Sequence, residues 1–410
     1  MFTIDGETLP IKSWLQKESI EESALSQARN IANHPMAYKH VALMPDIHTG
    51  YGCPIGAVVA MSSAICPNIV GVDIGCGIIA AKTPLKKENL SKFILKRILG
   101  DIRLIVPVGF NHQKSPIQNW MPEFDNSNDM PIVKREWASA SKQVGTLGGG
   151  NHFIEIQYDV SNNDVWVMLH SGSRNIGKQV AEYYQQVACK SLGNKQDAIT
   201  EVISLLKVQG RISEIESEIK KVKFSEFTKG LEYLQGKDFD DYIHDMKIMQ
   251  EYALTNRTAI ANTIIQKMNL SIFEWIHTTH NYIDTQTMIL RKGAVSANKG
   301  QQLIIPINMR DGSLLCVGKG NEDWNCSAPH GAGRLMSRSE AKKAIELSDF
   351  QETMKNVWST SVSQETLDES PMAYKPMDEI IENIQDTVEV KDILKPLYNF
   401  KASEEERKTR

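Results

Sequence analysis

The sequence predicts an α+β fold: one large domain with mixed β-sheets, glycine-rich loops and a helical insertion. Three observations lead there. Apolar, β-branched runs break repeatedly at glycine clusters, as in HVALMPDIHTGYGCPIGAVVAM (40–61), NIVGVDIGCGIIAAKT (68–83), QVGTLGGGNHFIEIQYD (143–159) and VWVMLHSGSRNIGKQVAEYY (165–184). Such runs read as strands and the glycines as the turns between them. The most helical stretch is 196–269, where FDDYIHDMKIMQEYALTNRTAIANTIIQKM spaces its apolar residues at helical intervals over several turns. No linker and no internal repeat separates the blocks, and 410 residues are enough for a large core.

The elements follow in order. Residues 1–35 read as an edge strand or two and a helix, and 86–105 as a helix. Residues 110–135, rich in Asn, Pro and Gln, read as a long polar loop or lid. EIESEIKKVK (214–223) reads as a solvated helix face. Strands return after 285 in TMILRKGAVSANKG, QLIIPINM and SLLCVGKGN, and SAPHGAGRLMSRSEAKKAI is a glycine loop running into a helix. The domain is expected to span 1–410, with 196–269 inserted and 402–410 a frayed, charged tail.

Bulk properties exclude several classes. The net charge of −4 does not advertise nucleic-acid binding over the whole surface, although a local basic patch is compatible with it. MFTIDGETLPIKSW lacks the pattern of a signal peptide, and no run of about 18 apolar residues suggests a membrane span. Six cysteines in a chain this long are not a disulfide framework and read as free thiols of a cytoplasmic protein.

The chemistry concentrates in glycine-flanked blocks. VGVDIGCG carries Asp73 and Cys76, GGGNHFIE carries Asn151, His152 and Glu155, LHSGSR carries His170, THNY carries His280, PHGAGR carries His330, and MPDIHTG carries Asp46 and His48. Each block ends an apolar run, so the loops are expected to converge on one pocket. Imidazole, carboxylate and thiolate are ligands for divalent transition metals, and a thiolate can bridge two ions. A buried structural role is the competing reading for Cys76, and for His170 and His280 taken singly. His34, His40, His112, His244 and His277 lack such surroundings and read as surface or structural. In HGAGR the glycines leave His330 uncovered, Arg334 suits a phosphate, and the helix expected just beyond offers an anion site. HSGSRNIGK offers a second phosphate cradle at Ser171, Ser173, Arg174 and Lys178. The residues by themselves indicate a metal-dependent enzyme acting on phosphates with a histidine nucleophile.

Taken together, VGVDIGCG, GGGNHFIE, LHSGSR, RKGAVSA, PHGAGR and MPDIHTG resemble the RtcB family of RNA ligases over about residues 36–401. That family seals RNA 3′-phosphate or 2′,3′-cyclic phosphate ends to 5′-hydroxyl ends with GTP and manganese, in tRNA splicing and RNA repair. The resemblance implies two Mn²⁺ ions held by Asp73, Cys76, His152, His170 and His280, with the cysteine shared, and guanylylation of His330. It implies nucleotide contacts from Asn151, Phe153, Ile154, Glu155, Asn281, Pro306, Ile307, Asn308, Met309, Ser313, Gly331, Ala332 and Gly333, with Tyr374 and Lys401 near the guanine. Asp46, Arg174 and Arg334 fall in the surroundings that meet the RNA substrate, and an archease activator is a candidate partner. The alternative is a nucleotidyltransferase or phosphoesterase that caps or processes 3′-phosphate ends without sealing. The chain departs from many relatives in four places. Ile307 and Asn308 replace Gly-Ser, Tyr51 replaces lysine, Asn175 replaces glycine, and nine residues follow Lys401.

Overall fold

The computed structural model describes residues 1–6, 8–117, 120–124, 128–191, 203–204, 206–207, 211–221 and 229–401. In chain order the strands are β1 (Phe2–Ile4), β2 (Ile11–Ser13), β3 (Ala37–His48), β4 (Ile55–Met61), β5 (Gly77–Lys86), β6 (Phe153–Asp159), β7 (Asp164–Ser171) and β8 (Glu274–Thr279). There follow β9 (Asn281–Asp284), β10 (Ile289–Lys292), β11 (Ala294–Ser296), β12 (Gln302–Asn308), β13 (Gly312–Gly318), β14 (Ser327–Pro329), β15 (Trp358–Ser359) and β16 (Val388–Lys401). The α-helices are α1 (Glu22–Ala32), α2 (Lys92–Ile105), α3 (Pro131–Gln143), α4 (Arg174–Ser191), α5 (Ile215–Lys221), α6 (Gly236–Met268), α7 (Arg338–Ala344), α8 (Leu347–Thr353) and α9 (Met377–Asn383).

One sheet runs β1-β2-β3-β4-β10-β9, antiparallel except for the β2–β3 pair. The second runs β12-β13-β16-β6-β7-β5-β8, with β15 parallel to part of β16, and β11 with β14 forms a short ribbon. A hydrogen bond from the Ile304 N–H to Thr278 Oγ1 (3.1 Å) links the two edge strands β12 and β8, so the second sheet curls on itself. Side chains alternate across a strand. Ile78, Ala80, Phe153, Trp166, Met168 and Ile276 therefore share the inside of the curl with Ile304 and Leu394. Ile79, Ala81, Ile154, Ile156, Val167 and Leu169 face outward against α2 and the Ile260, Ala261 and Ile264 end of α6.

The register collects the chemistry at one end of the curl. Gly77 pairs with both Ser171 and Thr279, and Phe153 pairs with both His170 and Lys401. The starts of β5 and β6 thus lie beside the ends of β7, β8 and β16. His170 is on the inner face with Met168 and Trp166, two and four residues earlier.

Helix α6 joins the two cores. Met246, Met249 and Tyr252 pack with α1, α3, α4 and the first sheet, while Ile260 and Ile264 pack on the second sheet. The helical stretch expected over 196–269 lies partly outside the described residues. Its described C-terminal half is α6, a helix inside the domain. Among the described residues no helix is long and apolar enough to cross a membrane.

Other expectations shift locally. Before its glycines, the 68–83 block forms a 3-10 turn at Pro67–Ile69 and not a strand, because Ile69 and Val70 are buried in the first core without a ladder partner. Strand β5 extends to Lys86, and α2 starts only after Ser91 caps the Ile94 N–H. The polar stretch 110–135 contains the start of α3, where Pro131 occupies the first turn, and Phe124 packs edge-on against Trp137. Residues 118–119, 125–127 and the tail 402–410 lie outside the described residues.

Candidate active site

Cys76, at the turn into β5, sits among imidazoles. Its Sγ is 3.2 Å from His170 Nε2 and 3.4 Å from His152 Nε2. His170 Nε2 is in turn 3.3 Å from His280 Nε2, and His152 Nε2 is 3.2 Å from Asp73 Oδ2. All three rings and the thiol are buried. The other nitrogen of two rings is committed: His152 Nδ1 donates to the Leu147 carbonyl (2.9 Å) and His170 Nδ1 to that of Asn151 (3.3 Å). A carbonyl only accepts, so both rings turn Nε2 toward the cluster, and in a neutral ring that nitrogen carries the lone pair.

Burial, then the neighbouring His152, holds His170 well below the usual histidine range; burial, then His330 and His170, does the same for His280. Both rings are therefore neutral at pH 7. The facing Nε2 atoms of His170 and His280, 3.3 Å apart, can share one proton or one cation between them. Burial and then Asp73 push the Cys76 thiol well above its usual value, so its proton leaves only when a cation takes its place. Burial alone would raise the Asp73 carboxyl, but His152 and Arg174 outweigh it and leave it at about 2. Neutral imidazoles, an ionised carboxylate and a displaceable thiol proton make a donor set that fits a divalent transition metal.

The loops that present these donors are fixed by backbone contacts. Asp73 Oδ1 accepts from the Ser173 N–H (3.0 Å) and Oγ (3.3 Å) at the start of α4. Gly172 must lack a side chain, because a Cβ there would lie 2.2 Å from Asp73 Oδ1. Two neighbours on α6 hold the loops together. Asn256 Oδ1 accepts from Gly145 and Thr146 N–H, and its Nδ2 donates to the Thr146 and Gly172 carbonyls and to Ser171 Oγ. Arg257 Nη1 donates to the carbonyls of Gly75 (2.7 Å) and Ser171 (2.9 Å), next to Cys76 and Gly172.

His330 follows β14, whose partner β11 is tied to His280 by the Ala294 N–H (3.2 Å). Its Nδ1 donates to Asp46 Oδ2 at 2.6 Å, and Asp46 is buried near the end of β3. In the neutral ring this contact puts the lone pair on Nε2, the atom a nucleophile needs free, with the carboxylate placed to stabilise the cation that forms on attack. The His280 and His330 ring centroids are 4.9 Å apart. Gly333, at φ +74°, allows the loop to lie on β3; a Cβ there would be 2.7 Å from Asp46 Cα.

Two cavities flank the metal donors and share Asn151. One, of about 290 Å³, is lined by His170, His330, Gly331, Ala332, Gly333, Phe153, Glu155, Pro306 to Met309, Arg334, Tyr374 and Lys401. The other, of about 640 Å³, is lined by Asp73, His152, Arg174, Lys178, His112 and Phe110. Glu155 accepts from Gln157 and Asn399, and burial pushes its carboxyl up to about 7. Lys401 pairs with Glu369, which Lys401 and Arg338 hold at about 2 against the upward push of burial.

Some expected site residues stand outside the cavities, and others line them while being held by partners of their own. Ile154 points into the outer core, because strand alternation gives the cavity Phe153 and Glu155. Ser313 lies one layer behind, accepting from Gln157 at 3.2 Å. Asn281 bridges backbone, donating to the Asp73 carbonyl and accepting from the Gly293 N–H. Ile307 packs into the core beside Ala332, and Asn308 caps its own hairpin through Arg310 N–H, Asp311 N–H and the Asp311 carboxylate. Arg334 is a poor phosphate fork: it donates to Tyr374 (2.9 Å) and the Asp368 carbonyl and lies over the Tyr374 ring. The helix expected beyond HGAGR is α7, but its N-terminus is closed by a Ser337–Glu340 capping box. Tyr51 is exposed; its carbonyl, with those of Cys53 and Asn68, receives Lys292 Nζ. The sequence did not place Asn256, Arg257, Arg338 or Glu369, and left His112 outside the site although it lines the larger cavity; His48, one of the candidates in MPDIHTG, lines the smaller. Asn256 carried a signal: it interrupts the apolar ladder Tyr252, Ile260, Ile264 on one helix face. Removing it is expected to have two effects. Asn256→Ala leaves several buried backbone groups unpaired and costs at least about 2 kcal/mol in urea unfolding. It also lowers metal affinity about 10–100-fold in a metal titration, although every ligand is intact.

A family model described as tRNA-splicing ligase RtcB matches residues 27–402. The chain is 34% identical to the RNA-splicing ligase RtcB of Escherichia coli K12, over 94% of this chain and 95% of that one. It is 27% identical to the tRNA-splicing ligase RtcB of Nanoarchaeum equitans, over 88% and 87%. For that of Methanococcus maripaludis the figures are 28%, 90% and 88%. With the donor cluster and the Asp46-bound histidine in place, these matches show that the chain belongs to the RtcB family and is an RNA ligase.

Proposed function

We propose that this ligase joins RNA 3′-phosphate or 2′,3′-cyclic phosphate ends to 5′-hydroxyl ends through GMP carried on His330, with GTP as donor and two Mn²⁺ ions, in RNA repair or tRNA splicing in the cytoplasm. The observation that carries the reading is His330, with Nδ1 held by Asp46 and its ring packed against His280 of the metal cluster in a nucleotide-sized cavity.

Asp73, Cys76, His152, His170 and His280 would hold the ions. Bound ions would supply positive charge where phosphate is transferred. The donor atoms alone suit zinc as well; manganese rests on the family resemblance.

His330 Nε2 attacks the α-phosphorus of GTP, and the bond to pyrophosphate breaks. Asp46 stabilises the imidazolium formed. A cyclic phosphate end is opened by water to a 3′-phosphate. The 3′-phosphate takes GMP from His330 and restores the free histidine. The 5′-hydroxyl then attacks the activated end, forming the phosphodiester and releasing GMP. Asn151, common to both cavities, stands between nucleotide and RNA end. Glu155 and Lys401 frame the base, a carboxylate being the acceptor that guanine N1–H and its amino group need. An archease is proposed as activator.

Incubation with α-labelled GTP and Mn²⁺, followed by denaturation, is expected to give an acid-labile histidine-linked GMP adduct that discharges into joined RNA. His330→Ala should give none, and Asp46→Asn should form it about 10²-fold or more slowly. A wild-type adduct that yields only a capped 3′ end would favour end modification over sealing. Guanine binding requires ionised Glu155, so GTP affinity should rise with pH through about 7 and then level off. Glu155→Gln should abolish that rise in equilibrium titrations.

A further inference from the structure

We propose that Phe110 is the stacking platform for the 3′-terminal nucleobase of the phosphate-bearing RNA strand, an assignment that rests on the RNA-end reading above. Phe110 lines the larger cavity, yet 78% of it is exposed. Its backbone is nonetheless pinned. The Gly109 N–H donates to the Gly148 carbonyl (2.8 Å), the Leu147 N–H to that of Pro107 (2.9 Å), and the Asn111 N–H to that of Val108 (3.0 Å). Arg174 Nη2 reaches the Gly109 carbonyl at 3.4 Å. The partner loop, 147–150, leads directly into Asn151 and His152. The backbone that carries the ring is therefore held at a set place relative to the metal donors.

The surroundings complement one kind of ligand. Arg174 and Lys178 supply positive charge in the same wall, and Gly150 leaves open space, with nothing within 4 Å of the place a Cβ would take. Cations beside an exposed aromatic face are what a terminal nucleotide meets in single-strand recognition: charge for the phosphate and a ring for the base. Of the two strands to be joined, only one ends in a phosphate, and that charge selects it for the Arg174 and Lys178 side. Phe110 gives no base-edge hydrogen bonds, so it favours any base over none and discriminates weakly among bases.

The test uses the full-length protein and RNA oligonucleotides ending in a 3′-phosphate, with 2-aminopurine as the last base. Binding needs no GTP and is read as quenching of 2-aminopurine fluorescence. Wild type and Phe110→Tyr should quench. Phe110→Leu, which keeps apolar bulk without a ring, and Phe110→Ala should not, and should bind about tenfold or more weakly. With an abasic terminal nucleotide, all four proteins should bind alike. Equal quenching by wild type and Phe110→Leu, or an equal loss on basic and abasic ends, would overturn the assignment. Failure of the wild type to bind either oligonucleotide would sink the RNA-end reading and this inference with it.

Discussion

The site depends on imidazole nitrogens packed around one buried thiol. Backbone carbonyls of Leu147 and Asn151 hold Nδ1 of His152 and His170, so both rings aim Nε2 at the Cys76 thiol. Burial keeps His170 and His280 neutral, so their ring nitrogens stay available to a cation. What remains is a cluster of donors that a cation completes. Its geometry is fixed by loops and helix contacts, so the fold supplies the site before any metal arrives.

That prior arrangement explains the shape of the rest. Antiparallel register brings the starts of β5 and β6 beside the ends of β7 and β8, and alternation turns His170, Phe153 and Glu155 to the same inner space. The first sheet contributes Asp46 and, through it, the orientation of His330. Helix α6 spans both cores, and at their junction it places Asn256 and Arg257 under the loops that carry Asp73, Cys76 and His152. The metal donors and the nucleophile thus come from different sheets, fixed to each other by His280, β11 and β14.

Much of this was legible in the sequence. The glycine-broken apolar runs marked the strands, and the metal-competent residues within them are those that the structure gathers. Other features could not be read. Ile154 is next to Glu155 in GGGNHFIE, yet only strand direction says which of the two faces the cavity. Arg334 follows a glycine loop and looks free for phosphate until Tyr374 and Asp368, distant in sequence, are seen to hold it. The capping box that closes α7 was present as Ser337 and Glu340, but competes with the anion-site reading only once the helix start is known. Asn256 and Arg257 look like ordinary polar residues of a long helix because their partners, mostly backbone groups, lie 84 to 182 residues away. The replacement of Gly-Ser by Ile307-Asn308 becomes understandable in the fold, where one side chain fills core and the other caps a hairpin.

The most direct test of the donor cluster is spectroscopic. Titrate the metal-free protein with Co²⁺ and follow the near-ultraviolet thiolate-to-cobalt charge-transfer absorption, comparing wild type with Cys76→Ser. The account predicts a saturable band in the wild type, absent in the variant, with proton release on binding. Cobalt binding without a charge-transfer band, or an unchanged band in Cys76→Ser, would show that Cys76 is not a ligand and would contradict the account.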